Sequence, residues 1–188
     1  MLINENTIVE GIKCVLVPYD TEFVEDYHFW FKNDPELLEL TSSEPLSVEE
    51  EYANQISWRQ DPNKLTFLIR DTTIGSKPLC GDINCFFSEF FHHDWNDSQE
   101  ITDNPIPEGN VAEINLMIAE KGSRRKGIAA EALNLFCCYI IEKVKNVRVF
   151  VAKIQADNVA SINLFKKAGF VEYKRLECFN EIHYCKLL

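Results

Sequence analysis

The stretch from Val111 to Lys145 constrains the fold of this chain more than any other. It opens with VAEINLMIA, a mostly apolar run that predicts a buried strand over 111–119. A polar turn follows, and then apolar residues on one face predict a long helix over 125–145. A helix entered this way leaves its first amides without internal acceptors, at the positive end of its dipole. The entry carries Arg124, Gly127 and Ala129 in the pattern RxxGxA. Small residues let a ligand approach the main chain closely, and a diphosphate can rest on such amides. Lys121, Arg124, Arg125 and Lys126 add positive charge there, in a chain whose formal net charge is -11. The plainer alternative is that these basic residues only solvate a helix start. Neither the GxxxxGK[ST] loop nor a GxGxxG turn occurs.

The flanking sequence fills in a mixed fold. Strands are predicted over 13–19, 65–70, 79–87, 147–153, 170–177 and 181–188, beside the one over 111–119. Helices are predicted over 21–32, 47–60 and 159–168, in addition to the long one. Ser47 followed by Glu50 has capping-box spacing. Asn33-Asp34-Pro35 is read as punctuation after the first helix. The order β-α-α-β-β-β-α-β-α-β-β predicts a mixed α/β (α+β) fold with helices flanking one sheet. Residues 88–110 are long for a connection inside a compact domain and are read as a mobile or functional insertion.

Size and charge bound the function classes. A chain of 188 residues with 46% hydrophobic residues suits one domain, 1–188, with a good core. The negative charge argues against nucleic acid or an anionic membrane as partner and suits a cationic acceptor such as an amine. Seven cysteines, without a CxxC, read as thiols kept reduced in the cytoplasm. The first eleven residues contain no apolar run of signal-peptide length, and nothing approaches the ~20 apolar residues of a membrane span. His92-His93-Asp94 invites a metal reading, but no third or fourth ligand accompanies it, so no metal site is expected.

A second motif follows the first. Asn158 and Ser161 stand at a helix entry, ahead of Leu164-Phe165 and Ala168-Gly169-Phe170. Asn158 alone reads as a helix cap and Gly169 as a helix end. Together RRKGIA and NVASINLFKKAGF resemble the paired signatures of the GNAT acetyltransferase superfamily, in order and in spacing. Leu40 to Trp58 and the strand EINLMIAE are similar to those of the N-acetyltransferase 9-like branch. The resemblance implies a central, mostly antiparallel twisted sheet of about seven strands and four helices, splayed between the fourth and fifth strands. It implies acetyl-coenzyme A as acetyl donor and an amine as acceptor, most naturally a protein or peptide N-terminal amine or a lysine. It assigns Met117, Ile118 and Ala119 to the pantetheine arm. It puts the pyrophosphate on Arg125, Lys126, Gly127, Ile128, Ala129 and Ala130, behind Arg124. It also gives Asn158 a bond to the cofactor's arm, with Ser161 beside it.

Acetyl transfer needs a deprotonated amine and a donor for the developing oxyanion. Glu113, eleven residues before Arg124, is the candidate base, because a base glutamate has this offset in the histone acetyltransferase branch of the family. The alternative is a structural glutamate bonded to a neighbouring element. Many members carry a tyrosine acid where this chain has Phe165, which cannot donate. Solvent, or Tyr184, is left to protonate the thiolate, with Tyr173 and Tyr184 otherwise read as packing residues. The family also sets the first helices beside the acceptor cleft, which brings His28, Glu44 and the loop 41–45 into view, again against a packing role. His183, in the last strand, is weighed the same way. A competing function is a GNAT-scaffold binding module that engages a protein partner with little turnover, which Phe165 and the insertion would favour.

Overall fold

The computed structural model describes residues 2–41, 43–89 and 110–188. The described strands are β1 (Val9–Glu10), β2 (Cys14–Pro18), β3 (Lys64–Asp71), β4 (Leu79–Glu89), β5 (Asn110–Ile118), β6 (Val147–Gln155), β7 (Val171–Leu176) and β8 (Glu181–Leu187). The α-helices are α1 (Val24–Asn33), α2 (Pro35–Thr41), α3 (Val48–Gln60), α4 (Ile128–Lys143) and α5 (Val159–Lys167). The strands hydrogen-bond in the order β1-β2-β3-β4-β5-β6-β8-β7. The fold is therefore the expected mixed one, with eight strands and five α-helices rather than seven and four. The added strand is the two-residue β1. The added helix is α2, which starts at Pro35, so the proline read as punctuation is a helix start whose fixed φ suits the first helical position. The proposed insertion lies, apart from its ends in β4 and β5, outside the described residues, as does His92-His93-Asp94.

The chain forms two compact units, residues 1–84 with 116–137 and residues 85–115 with 138–188. In the first, β2 pairs antiparallel with β1 and with β3, from Cys14↔Asp71 to Pro18↔Phe67. Its apolar cluster joins Val17, Tyr19, Tyr27, Trp30 and Leu68 to Met117 and Ala119 at the end of β5. The ring centroids of Tyr19 and Tyr27 are 4.9 Å apart, and Trp58 meets Tyr27 edge-on at 6.3 Å. Each such pair contributes about 0.5–1.5 kcal/mol beyond its buried area. The capping box on α3 forms as spaced: Glu50 N–H donates to Ser47 Oγ at 3.2 Å, and Ser47 N–H to Glu50 Oε2 at 2.8 Å.

In the second unit, β5 runs parallel to β6, and β8 lies antiparallel between β6 and β7. The β5–β6 ladder ends at Glu113↔Val151, although β5 continues to Ile118 and β6 to Gln155. Phe165 on α5 is 3% exposed and meets Phe170 edge-on at 5.0 Å, so this position is a core position here.

Candidate active site

The main chain between β5 and α4 bends left-handed twice, at Arg125 (φ 65°) and at Gly127 (φ 87°). An L side chain rarely adopts the second value, which is one reason for glycine there. The first helical hydrogen bond of α4 runs from Glu131 N–H to Gly127 C=O at 3.1 Å. Among the described residues, the N–H groups of Arg125, Lys126, Gly127, Ile128, Ala129 and Ala130 therefore have no acceptor. α4 also begins three residues later than the predicted 125, so three of these donors belong to the turn itself. Six consecutive open donors at a helix start are an arrangement able to hold an anion such as a diphosphate.

Three of the four basic side chains of the turn are otherwise occupied. Lys121 Nζ pairs with Asp34 Oδ2 at 3.1 Å. Lys126 Nζ lies 3.0 Å from Asp71 Oδ2 and 3.2 Å from Thr73 Oγ1. Arg124 turns back on the strand, donating Nε to Ile118 C=O at 2.8 Å and Nη2 to Ala119 C=O at 3.3 Å. The expected cluster of cations around an anion is thus mostly a set of braces that shape the turn. Arg125 remains exposed.

Asp71 is the hub of that bracing. Its carboxylate takes bonds from Ser123 Oγ at 2.7 Å and from Thr73 Oγ1 and N–H at 2.5 and 2.8 Å. Burial works against its charge, but the bonds from Thr73, Ser123 and Lys126 outweigh it and hold the carboxyl at about 2. Glu131 performs a similar task on the first turn of α4. Its carboxylate accepts the N–H groups of Ile12, Lys13 and Cys14 at 3.1, 2.6 and 2.9 Å. Burial opposes that charge too, and the three main-chain donors lower the carboxyl despite it. Neither acid was singled out from sequence, since the partners that tie them to the turn or to the start of β2 lie 52 to 119 residues away.

The end of β5 is tightly built. A Cβ on Gly81 would stand 2.1 Å from Met117 C=O, so β4 can approach β5 this closely only as glycine. The side chains of Met117 and Ala119 are buried in the first unit's core.

A cavity of about 520 Å³ opens in the same unit, walled by the aromatic rings of Tyr27, Phe31 and Trp58. His28 and Glu44, singled out in the sequence, both line it, as does Glu51. Glu51 is 4% exposed, and burial raises its carboxyl above the usual range. Its size lies within the range of small-ligand and peptide-side-chain pockets.

In the second unit, Glu113 is partly exposed and forms an ion pair with Lys153 at 2.7 Å. Asn158 caps α5, its Oδ1 accepting Ser161 N–H at 3.1 Å. Tyr184 is fully buried with its hydroxyl unpartnered, and Tyr173 packs against the cluster of Val111, Val149, Val151 and Cys185. His183 is 7% exposed and contacts Glu181. Among the described residues no group of three or more histidine, cysteine or acidic side chains could hold a metal ion, and no helix is long and apolar enough to cross a membrane.

Residues 13–171 match the family model described as an acetyltransferase (GNAT) domain. The chain is 40% identical over 185 residues to an N-acetyltransferase 9-like protein of Caenorhabditis briggsae, covering 97% of this chain and 86% of the relative. It is 40% identical over 189 residues to alpha/beta-tubulin-N-acetyltransferase 9 of Drosophila melanogaster, covering 97% and 87%. Its fold is similar to that of spermidine N-acetyltransferase from Vibrio cholerae, solved in complex with CoA and spermine, with a TM-score of 0.72 at 18% identity over 93% of this chain and 95% of that one. The strand-turn-helix with open donors and the match over most of the chain agree, and the protein belongs to the GNAT acetyltransferase family, as an N-acetyltransferase that uses acetyl-coenzyme A.

Proposed function

We propose that this protein, acting as one acetyltransferase domain, transfers the acetyl group of acetyl-coenzyme A to an amine on a protein or peptide, either the N-terminal α-amine or a lysine. The observation that carries the reading is the run of six open main-chain donors from Arg125 to Ala130. When bound, acetyl-coenzyme A supplies an activated acetyl group on a thioester. The chain's own part is to grip the diphosphate through those amides, with Arg124 bracing Ile118 and Ala119 so that the turn keeps its shape. The family resemblance extends this grip to Met117, Ile118 and Ala119 along the pantetheine arm, and to Asn158 and Ser161. For Asn158 the free group is its side-chain N–H₂, since its oxygen caps α5.

An aromatic-walled cavity with buried Glu51 and with Glu44 on its lining favours a cationic, partly apolar acceptor. Alpha/beta-tubulin-N-acetyltransferase 9 is among the relatives at 40% identity, and the protein acceptor in that relative's name supports the same acceptor class for this chain. The spermidine enzyme shares the fold alone, so a polyamine acceptor has less support. We assign Glu113 as the proton acceptor. It must share its carboxylate with Lys153 while it takes the amine's proton.

The test is incubation with acetyl-coenzyme A and separate panels of peptides with free N-termini, peptides with blocked N-termini and internal lysines, and polyamines. Thiol release with either peptide panel, and little with polyamines, is the expected result; release with polyamines alone would overturn the acceptor assignment. Glu113→Gln should lower kcat about 100-fold or more with cofactor affinity retained. Equal rates across pH 6 to 9 would remove Glu113 as base.

A further inference from the structure

Besides the exposed Arg125, a second cation near the turn is not a brace. Lys13 stands just before β2, and its side chain lies across the open face of Gly127. A Cβ on Gly127 would lie 2.8 Å from Lys13 Nζ and 3.7 to 3.8 Å from its Cδ and Cε. Lysine side chains usually wander over a surface, but the root of this one is fixed. Its main-chain N–H donates to Glu131 Oε2 at 2.6 Å, and Glu131 sits four residues beyond Gly127 on α4. The same carboxylate also ties Ile12 and Cys14. Glu131 therefore couples the start of β2 to the first turn of α4 and sets Lys13 over the glycine.

The electrostatics of this patch are one-sided. Lys121 and Lys126 have acidic partners, and Arg124 donates to carbonyls. Lys13 Nζ has no hydrogen bond or ion pair among the described residues. It stands beside Gly127, within the row of main-chain N–H groups from Arg125 to Ala130 that also lack acceptors among the described residues. Three ammonium donors and the amide row around Gly127 are thus brought together without an acceptor among the described residues. An ammonium placed beside the positive end of a helix is unfavourable alone and becomes favourable when an anion bridges the two.

We propose that Lys13 is a further cofactor-binding and specificity-determining residue: its ammonium contacts a phosphoryl oxygen of the coenzyme A held at Arg125–Ala130, and Glu131 is the positioning residue that aims it. This rests on the proposed cofactor grip. The phosphoryl group is either in the diphosphate or is the 3′-phosphate, and the two sources are separable by ligand.

The experiment is calorimetric titration of the wild-type protein, Lys13→Met and Gly127→Glu with coenzyme A and with 3′-dephospho-coenzyme A. Lys13→Met should weaken coenzyme A binding about 10-fold to 100-fold, the scale of one charged hydrogen bond. A loss confined to coenzyme A, with 3′-dephospho-coenzyme A bound as by wild type, supports the 3′-phosphate as the partner. An equal loss for both ligands supports the diphosphate. Wild-type affinity of Lys13→Met for both ligands, with binding lost in Gly127→Glu, overturns the role of Lys13 alone. Wild-type affinity in Gly127→Glu overturns the cofactor grip itself and the Lys13 proposal with it. Without ligand, Lys13→Met should unfold at a temperature no lower than wild type, since the exposed ammonium has no partner among the described residues to lose.

Discussion

Two helices that start in the first unit begin in opposite ways. α3 is closed: Ser47 and Glu50 exchange side-chain bonds with each other's main chain and satisfy both donors. α4 is open: the residue ahead of it is Gly127, which has no side chain to offer, and six donors from Arg125 to Ala130 stay unpaired among the described residues. A closed start contributes about 1 kcal/mol of stability. An open start gives up that contribution and leaves donors that an anion can take. The difference lies in a single position, a serine at one helix start and a glycine in the left-handed region at the other. What stabilises the open turn is not a cap but the side-chain bracing behind it, through Arg124, Asp71 and Glu131.

The largest expected effect tests the open end. Gly127→Glu forces a non-glycine residue to φ 87°, drives its Cβ to 2.8 Å from Lys13 Nζ, and sets a carboxylate where a phosphate belongs. Acetyl-coenzyme A affinity should fall more than about 100-fold by calorimetry. Retained affinity would break the contrast between the two helices.

A smaller effect tests the bracing. Asp71 has its carboxyl held at about 2, below the ordinary aspartate value near 4. A depressed folded value contributes stability that is present above pH ~4 and is lost as pH falls towards 2. Wild type should lose thermal stability steeply through that window, and Asp71→Asn should start lower and lose less. A burial-raised acid in the same unit should act with the opposite sign. Asp82 is buried and pushed up to about 6, with the bond from Asn84 only partly compensating. Its contribution is greatest below pH ~4 and is lost as pH rises through about 6. Asp82→Asn should therefore flatten the stability curve between those values, measured by the unfolding midpoint against pH. The smallest effect tests the closed end. Ser47→Ala should cost about 1 kcal/mol of stability and leave coenzyme A affinity unchanged.

These contrasts also mark what the sequence could and could not reveal. The capping box of α3, the cap at Asn158 and the turn before α4 were legible because each is a local pattern of a few residues with its own physical cause. α2 was missed although its signal was present. Asp34-Pro35 fits a helix start as well as a break, and only the packing of Leu37 into the core decides between them. β1 was too short to leave a periodic signal. At the site, the main-chain donors followed from the motif, but the fates of the side chains did not. RRKG looks like a cluster of free cations. Yet Lys126 is claimed by Asp71, 55 residues away, and Lys121 by Asp34. The cation left unclaimed over Gly127 came from Lys13, outside the motif altogether.

The central claim is that the open donors of α4 receive the coenzyme's diphosphate while the closed donors of α3 do not respond. Backbone amide signals followed by nuclear magnetic resonance during titration with acetyl-coenzyme A test this directly. The amides of Gly127, Ile128 and Ala129 should shift strongly and become slow to exchange with solvent, with Glu50 and Glu51 unmoved. Saturable binding of acetyl-coenzyme A with the Gly127–Ala129 amides unchanged would contradict the account.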